Sequence, residues 1–200
     1  MSINPKNDSN PLYPVFLKLH QLRVLLIGGG NVGYEKLSSV LSNSPDTVIT
    51  IVAPLICDEV KELVSRHPAC TIIQRNFEDA DLGNKEIVIC ATDNKELHKR
   101  IKQLANAKKL LVNVADTPEL CDFYLGSIVQ KGNLKIAIST NGKSPTIAKR
   151  IKEVFNETIP DEIDSLLQNM QEIRNTMKGD FSEKVKQLDE LTQKLCQKQQ

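Results

Sequence analysis

The chain has no tryptophan, and tyrosine and phenylalanine together supply only 4% of its 200 residues. A surface that stacks nucleobases needs aromatic rings, so nucleic acid is excluded as an expected partner. Charge of one sign is missing as well. Lys and Arg number 26 against 25 for Asp and Glu, which leaves no global field to attract a polyanion or an anionic membrane. No apolar run approaches the roughly 18 residues that span a bilayer, so the chain is expected to be soluble with no membrane partner. Its five cysteines, at 57, 70, 90, 121 and 196, are odd in number and widely spaced. With no C-x-x-C and no Cys/His ligand pair, they imply reduced thiols in a cytoplasm-like compartment and no metal site. Cys90, inside an apolar run, is expected in the core. Met1 to Pro11 is polar with two prolines and reads as a loose tail; it lacks the basic start and apolar stretch of a signal peptide. His20, His67 and His98 fall in no nucleophile or ligand constellation, and each is expected at the surface or at an element boundary.

Against these absences stands Arg23-Val24-Leu25-Leu26-Ile27-Gly28-Gly29-Gly30-Asn31-Val32-Gly33, an apolar strand running into a G-x-G-x-x-G spacing with a helical pattern behind it. The spacing has a physical reason. Gly28 permits a tight turn, Gly30 lets a pyrophosphate approach the backbone, and Gly33 lets the helix pack on the strand. The helix N-terminus then offers free N–H groups and partial positive charge to the anion. Strand before and helix after supply the context that a lone motif lacks.

The elements that follow alternate. Tyr34–Asn43 and Cys57–Arg66 carry apolar residues at helical spacing, and Asn94–Asn106 also reads as helix. Thr47–Val52, Thr71–Ile73, Ile87–Ala91 and Leu110–Val114 read as strands, apolar enough for a parallel sheet covered on both faces. The pattern predicts a doubly wound α/β sheet. After Asp116 the rhythm changes. Phe123–Gln130 and Leu134–Ser139, joined by Lys131-Gly132-Asn133, predict a β-hairpin. A helix follows from Ser144-Pro145. Two amphipathic helices close the chain, with stripes Ile163/Leu166/Leu167/Met170/Ile173 and Phe181/Val185/Leu188/Leu191/Leu195. Asp180 and Glu183 have capping-box spacing between them. The stripes can cover each other or meet a second subunit.

Ligands of open α/β sheets lie outside the carboxyl ends of the strands. Besides the glycine loop, three segments end there. Val52-Ala53-Pro54-Leu55 carries no acid at the place where a ribose-binding Asp or Glu is expected, nor an Arg, so residues alone leave NAD and NADP open. Ala91-Thr92-Asp93-Asn94 offers polar contacts to a cofactor, or a helix N-cap by Thr92 or Asp93. Asn113-Val114-Ala115-Asp116-Thr117-Pro118 brings a carboxylate to the crevice, as a general base or as a turn residue. Further on, Thr140-Asn141-Gly142-Lys143-Ser144, with Lys149 and Arg150, is either an anion pocket at a helix start or a cap with solvated lysines.

In order and spacing these segments resemble the precorrin-2 dehydrogenase family, of the siroheme-synthase N-terminal type. The matching pieces are Tyr13-Pro14-Val15-Phe16-Leu17, the glycine loop, Ala91-Thr92-Asp93, Asn113 to Pro118, Phe123, and Ser139 to Pro145 followed by Ala148-Lys149-Arg150. The family tolerates a second strand without a terminal acid. Thr140, Asn141 and Gly126 stand where some members have Ser, Gly and Pro.

The resemblance implies a Rossmann-type domain over 1–117, a hairpin and helix-start dimerisation region over 118–150, and a small helical domain over 151–200. It implies a homodimeric cytoplasmic enzyme that oxidises precorrin-2, a tetrapyrrole polycarboxylate, to sirohydrochlorin with NAD. The implied cofactor set is Gly28, Gly30, Asn31, Val32, Gly33, Pro54, Leu55, Thr92 and Asp93. Asp116 is the implied catalytic base. Asn113, Thr140, Asn141, Gly142, Lys143, Ser144, Lys149 and Arg150 are the implied substrate contacts. Some members also insert iron into sirohydrochlorin through the same aspartate region, which makes a bifunctional enzyme the alternative; a non-catalytic dinucleotide sensor is a further one. The methyltransferase domain fused in some members is not expected within these 200 residues.

Overall fold

The computed structural model describes residues 10–192. Most of the expected tail, Met1 to Pro11, lies outside them, as do Leu195 of the last stripe and Cys196. Two compact units are present, one from residues up to 126 together with 139–145, the other from 127–138 and from 146 onward.

In the first unit, β1 (Arg23–Ile27), β2 (Val48–Val52), β3 (Cys70–Ile73), β4 (Ile87–Cys90) and β5 (Leu111–Val114) form a sheet. Its order is β3-β2-β1-β4-β5 and every pairing is parallel. Helices α1 (Asn31–Asn43), α2 (Asp58–Ser65) and α3 (Lys95–Ala107) are the crossovers. Strand side chains alternate between faces. Val24, Leu26, Ile49, Ile51, Ile87 and Ile89 pack with Leu37, Val40 and Leu41 of α1 and Val60 of α2. Leu25, Ile27, Val52, Val88, Cys90, Val112 and Val114 pack with Ile101 and Ala105 of α3. Helices therefore cover both faces, as the apolar strands require, and the doubly wound sheet is present. Cys90 lies fully inside, where burial pushes its thiol up to about 12.

Two boundaries differ from expectation by three residues or more. α1 begins at Asn31 rather than Tyr34, which brings Gly33 into its first turn. The first hairpin strand begins at Ser127 rather than Phe123. Residues before it are held along β5 instead: Asp122 N–H donates to the Val112 carbonyl at 2.7 Å, and the Asp122 carboxylate accepts from Val112 N–H at 2.9 Å.

The second unit contains the hairpin β6 (Ser127–Lys131) and β7 (Leu134–Ile138), then α4 (Pro145–Thr158, shared at its first residue with the other unit), α5 (Ile163–Thr176) and α6 (Phe181–Thr192). Gly132 takes the corner at φ +54. The capping box forms as its spacing predicts: Glu183 N–H donates to Asp180 Oδ1 at 2.9 Å, and Asp180 N–H to Glu183 Oε2 at 3.2 Å.

Asp164, in the first turn of α5, anchors the hairpin. It accepts from Asn133 N–H at 2.7 Å, from the Asn133 amide at 2.8 Å and from Gln168 at 3.0 Å. The Asn133 backbone N–H, above all, holds this carboxyl below its ordinary range. Protonation therefore favours the unfolded chain. The contribution is whole above the unfolded value, about 4, and is lost as pH falls through the lower folded one. Thermal melts taken from neutral pH downward should show a smaller acid loss in Asp164→Asn than in the wild type. Superimposable acid profiles would contradict this role.

Candidate active site

The three glycines of the motif are not equivalent. Gly28 sits at φ +121, and a Cβ there would lie 2.3 Å from the Ala91 carbonyl oxygen. A Cβ on Gly33 would lie 2.3 Å from the Gly28 carbonyl oxygen. Gly29, which motif reasoning passes over, is equally constrained, since its Cβ would meet the Leu55 carbonyl oxygen and Ile56 Cδ1 at 2.5 Å. Gly30 differs. Its φ of −92° and ψ of −163° suit any residue, and nothing stands within 4 Å of its missing Cβ. The fold itself does not demand glycine at this open space.

That space lies at the start of α1. Gly30 is the N-cap, no side chain closes the first turn, and no acidic residue stands in it. The leading N–H groups of a helix have no partner within it, so Asn31, Val32 and Gly33 present donors and the positive end of the dipole to an anion. These residues fit a dinucleotide pyrophosphate.

The carboxyl end of β2 is tied to this loop. Gly28 N–H donates to the Val52 carbonyl at 3.1 Å and Cys57 N–H to that of Gly29 at 2.8 Å. Pro54 is held by Gln74, whose side-chain amide donates to its carbonyl at 3.3 Å. Leu55 is 81% exposed. The next carboxylates along the chain, Asp58 and Glu59, stand in the first turn of α2, and Asp58 pairs with Lys61 at 2.8 Å.

At the end of β4 the structure corrects two expectations. The cap of α3 is Asn94, which accepts from Leu97 N–H at 3.0 Å, so neither Thr92 nor Asp93 serves as the cap. His98 is not a surface residue but 3% exposed, with Nε2 2.8 Å from Thr92 Oγ1. Burial lowers its pKa against a weaker opposing pull from Asp93, which favours the neutral ring. Asp93 is exposed.

β5 ends in a turn. Thr117 N–H reaches the Val114 carbonyl at 3.4 Å, and Asp116 takes the third position at φ +55. Left-handed backbone costs a residue with a Cβ about 1–2 kcal/mol, with Asp and Asn the most tolerant. Asp116 is thus a turn residue and also an exposed carboxylate on the crevice edge. Asn113 is buried, and its amide donates to the Phe123 carbonyl at 2.8 Å, which fixes the segment leaving β5.

Ser139–Pro145 folds with this unit. Asn141 and Gly142 both have positive φ, +53 and +73, and Lys143 N–H donates to the Thr140 carbonyl at 3.0 Å. This is the arrangement that an Asn-Gly pair favours. Thr140 Oγ1 also accepts from Ser144 N–H at 3.2 Å. Lys149 and Arg150 are exposed on α4 in the other unit, where Arg150 pairs with Glu153 at 2.7 Å.

A family model described as putative NAD(P)-binding matches residues 15–127. The chain belongs to that family. Past this NAD(P)-binding domain, a model described as sirohaem biosynthesis protein central matches residues 131–154. The siroheme synthase of Pseudoalteromonas translucida is 37% identical over 174 residues, 87% of this chain and 34% of that protein. That of Vesicomyosocius okutanii is 33% identical over 169 residues, 84% of this chain and 36% of that protein. The chain spans about a third of the length of these curated relatives. A solved structure titled SirC, precorrin-2 dehydrogenase, aligns with a TM-score of 0.71 at 26% identity, covering 90% of this chain and 89% of its own. The family resemblance drawn from the motifs is therefore borne out, and so is the Rossmann-type architecture with its hairpin and terminal helices.

Proposed function

We propose that the protein oxidises precorrin-2 to sirohydrochlorin with NAD, in siroheme biosynthesis. One observation carries the proposal: an exposed carboxylate, Asp116, held in left-handed backbone at the carboxyl edge of the sheet whose glycine loop fits a pyrophosphate. Gly30, Asn31, Val32 and Gly33 hold that pyrophosphate, with Pro54 and Leu55 on one side and Thr92 and Asp93 on the other. Bound NAD supplies an acceptor for the hydride that leaves the macrocycle. Asp116 takes the proton lost in the same two-electron oxidation, so charge and atoms balance. Asn113 acts from behind, by fixing the strand exit. Thr140 to Ser144 receive carboxylates of the substrate, with Lys143 supplying a charge-assisted hydrogen bond; Lys149 and Arg150, on α4 in the other unit, are proposed separately as carboxylate contacts. The surface pair of Arg150 with Glu153 is weak enough for a carboxylate to displace. The test is anaerobic incubation with precorrin-2 and NAD. Sirohydrochlorin absorbance and NADH should rise in equal amounts; NAD-independent product, or none, would overturn the assignment.

The protein is proposed to work in the cytoplasm, where thiols such as Cys57 and Cys121 stay reduced. No helix among the described residues is long and apolar enough to cross a membrane.

A homodimer is also proposed. Ile147, Ile151, Val154 and Phe155 form a stripe on α4 at i, i+4, i+7 and i+8, and all are exposed. Such a contiguous apolar face marks an interaction surface. The double variant Ile151→Asp/Val154→Asp should sediment as a monomer while the wild type sediments as a dimer. Identical sedimentation of the two would remove α4 from the interface.

A further inference from the structure

We infer that His98 is a positioning residue that forces the Thr92 hydroxyl to act as a hydrogen-bond donor into the nucleotide crevice. The inference rests on the crevice being an NAD site, and it concerns the half of the dinucleotide beyond the pyrophosphate.

The hydrogen-bond inventory of two side chains carries it. A neutral imidazole has one N–H and one bare nitrogen. His98 Nδ1 is buried with no partner, whereas Nε2 faces Thr92 Oγ1. An orphaned buried N–H is rarer and costlier than an under-used acceptor. The proton therefore sits on Nε2 and is donated to Thr92. Thr92 Oγ1 also accepts from Asn94 N–H at 3.3 Å. With both lone pairs engaged, the only function left to the hydroxyl is to donate its own hydrogen, for which no described residue supplies an acceptor.

The location specifies the ligand. The Thr92 nitrogen lies 3.2 Å from where a Gly28 Cβ would stand, so the residue borders the glycine loop. Dinucleotides on such sheets place the pyrophosphate at β1 and the adenosine ribose at the end of β2. β4 flanks β1 on the opposite side and so serves the other nucleoside. The acceptor is an oxygen of the nicotinamide riboside half, a ribose hydroxyl or the carboxamide carbonyl. His98 comes from α3, on the sheet face away from α1, so it acts only through Thr92.

Calorimetry with NAD and with ADP, which lacks the nicotinamide riboside, tests this. Thr92→Val should weaken NAD about three- to tenfold, the range of one hydrogen bond, and leave ADP unchanged. Thr92→Ser should restore NAD binding. His98→Leu should weaken NAD but not ADP, add nothing in the Thr92→Val background, and be rescued by His98→Gln, whose amide still donates. Because His98 is buried, its tautomer is also read in the unaltered protein, by two-bond proton–nitrogen correlation; protonation at Nε2 is expected. Nδ1 protonation, NAD binding by Thr92→Val equal to wild type, or equal losses for NAD and ADP in His98→Leu would each overturn the inference. A wild type that binds ADP or neither ligand, but not NAD, would instead defeat the cofactor assignment on which the inference rests.

Discussion

Asp116→Gly should lose turnover by a factor of about 10²–10⁴, the contribution of a positioned general base, and yet remain as stable as the wild type. The second half of that expectation makes the first informative. Asp116 holds φ +55, a conformation that costs a Cβ-bearing residue about 1–2 kcal/mol and glycine almost nothing. Relief of that cost is offset by the greater freedom glycine gives the unfolded chain, about 0.4–1 kcal/mol. The melting temperature should therefore stay level or rise. Asp116→Asn, which also tolerates left-handed backbone, should behave alike. Asp116→Ala should lose activity and stability together, so it is the poorer experiment. A turn residue chosen only for shape would give active Gly and Asn variants, and retained sirohydrochlorin formation in either would remove Asp116 from the mechanism.

The glycine loop gives the second large effect, a separation of binding from folding. Gly30→Val should weaken NAD by a factor of 100 or more while the melting temperature barely moves, because open space surrounds the missing Cβ and the backbone there suits any residue. A roughly 100-fold loss corresponds to about 2.7 kcal/mol, a plausible cost for filling the path of a pyrophosphate that must touch the backbone. Gly28→Ala should do the reverse first. Its Cβ would stand 2.3 Å from the Ala91 carbonyl oxygen, just past β4, at φ +121, which costs on the order of 3 kcal/mol or more of stability. Calorimetric melts and NAD titrations of the two variants check this. Unchanged NAD affinity in Gly30→Val would mean that the loop is not the cofactor's seat.

Much of the fold was legible because local and global preferences agree. Apolar strands such as Ile87-Val88-Ile89-Cys90 are buried on both sides because helices cover both faces, α1 and α2 on one and α3 on the other. Asp180 and Glu183 bond reciprocally as their spacing implies, since a capping box involves only neighbours in the chain. His98 reads as a surface residue in sequence because Lys99 and Arg100 beside it suggest a solvated helix. The signal was present: His98, Ile101 and Ala105 lie three and four residues apart on the buried face of α3. The sequence overextends β6 because residues 123–126 have strand-like composition, whereas Asp122 and Phe123 are claimed by Val112 and Asn113, a long-range competition that no local pattern records. The left-handed backbone of Asp116 likewise arises from the turn closed by Thr117 and Val114. The return of Ser139–Pro145 to the first unit is a matter of topology, invisible to periodicity.

A crystal structure of the protein with NAD tests the central claim most directly. The pyrophosphate should rest on the backbone N–H groups at Asn31 and Val32, over the open face of Gly30, with the nicotinamide on the β4–β5 side toward the Asp116 carboxylate. An empty glycine turn in the presence of saturating NAD, or a nicotinamide ring directed away from β5, would contradict the account.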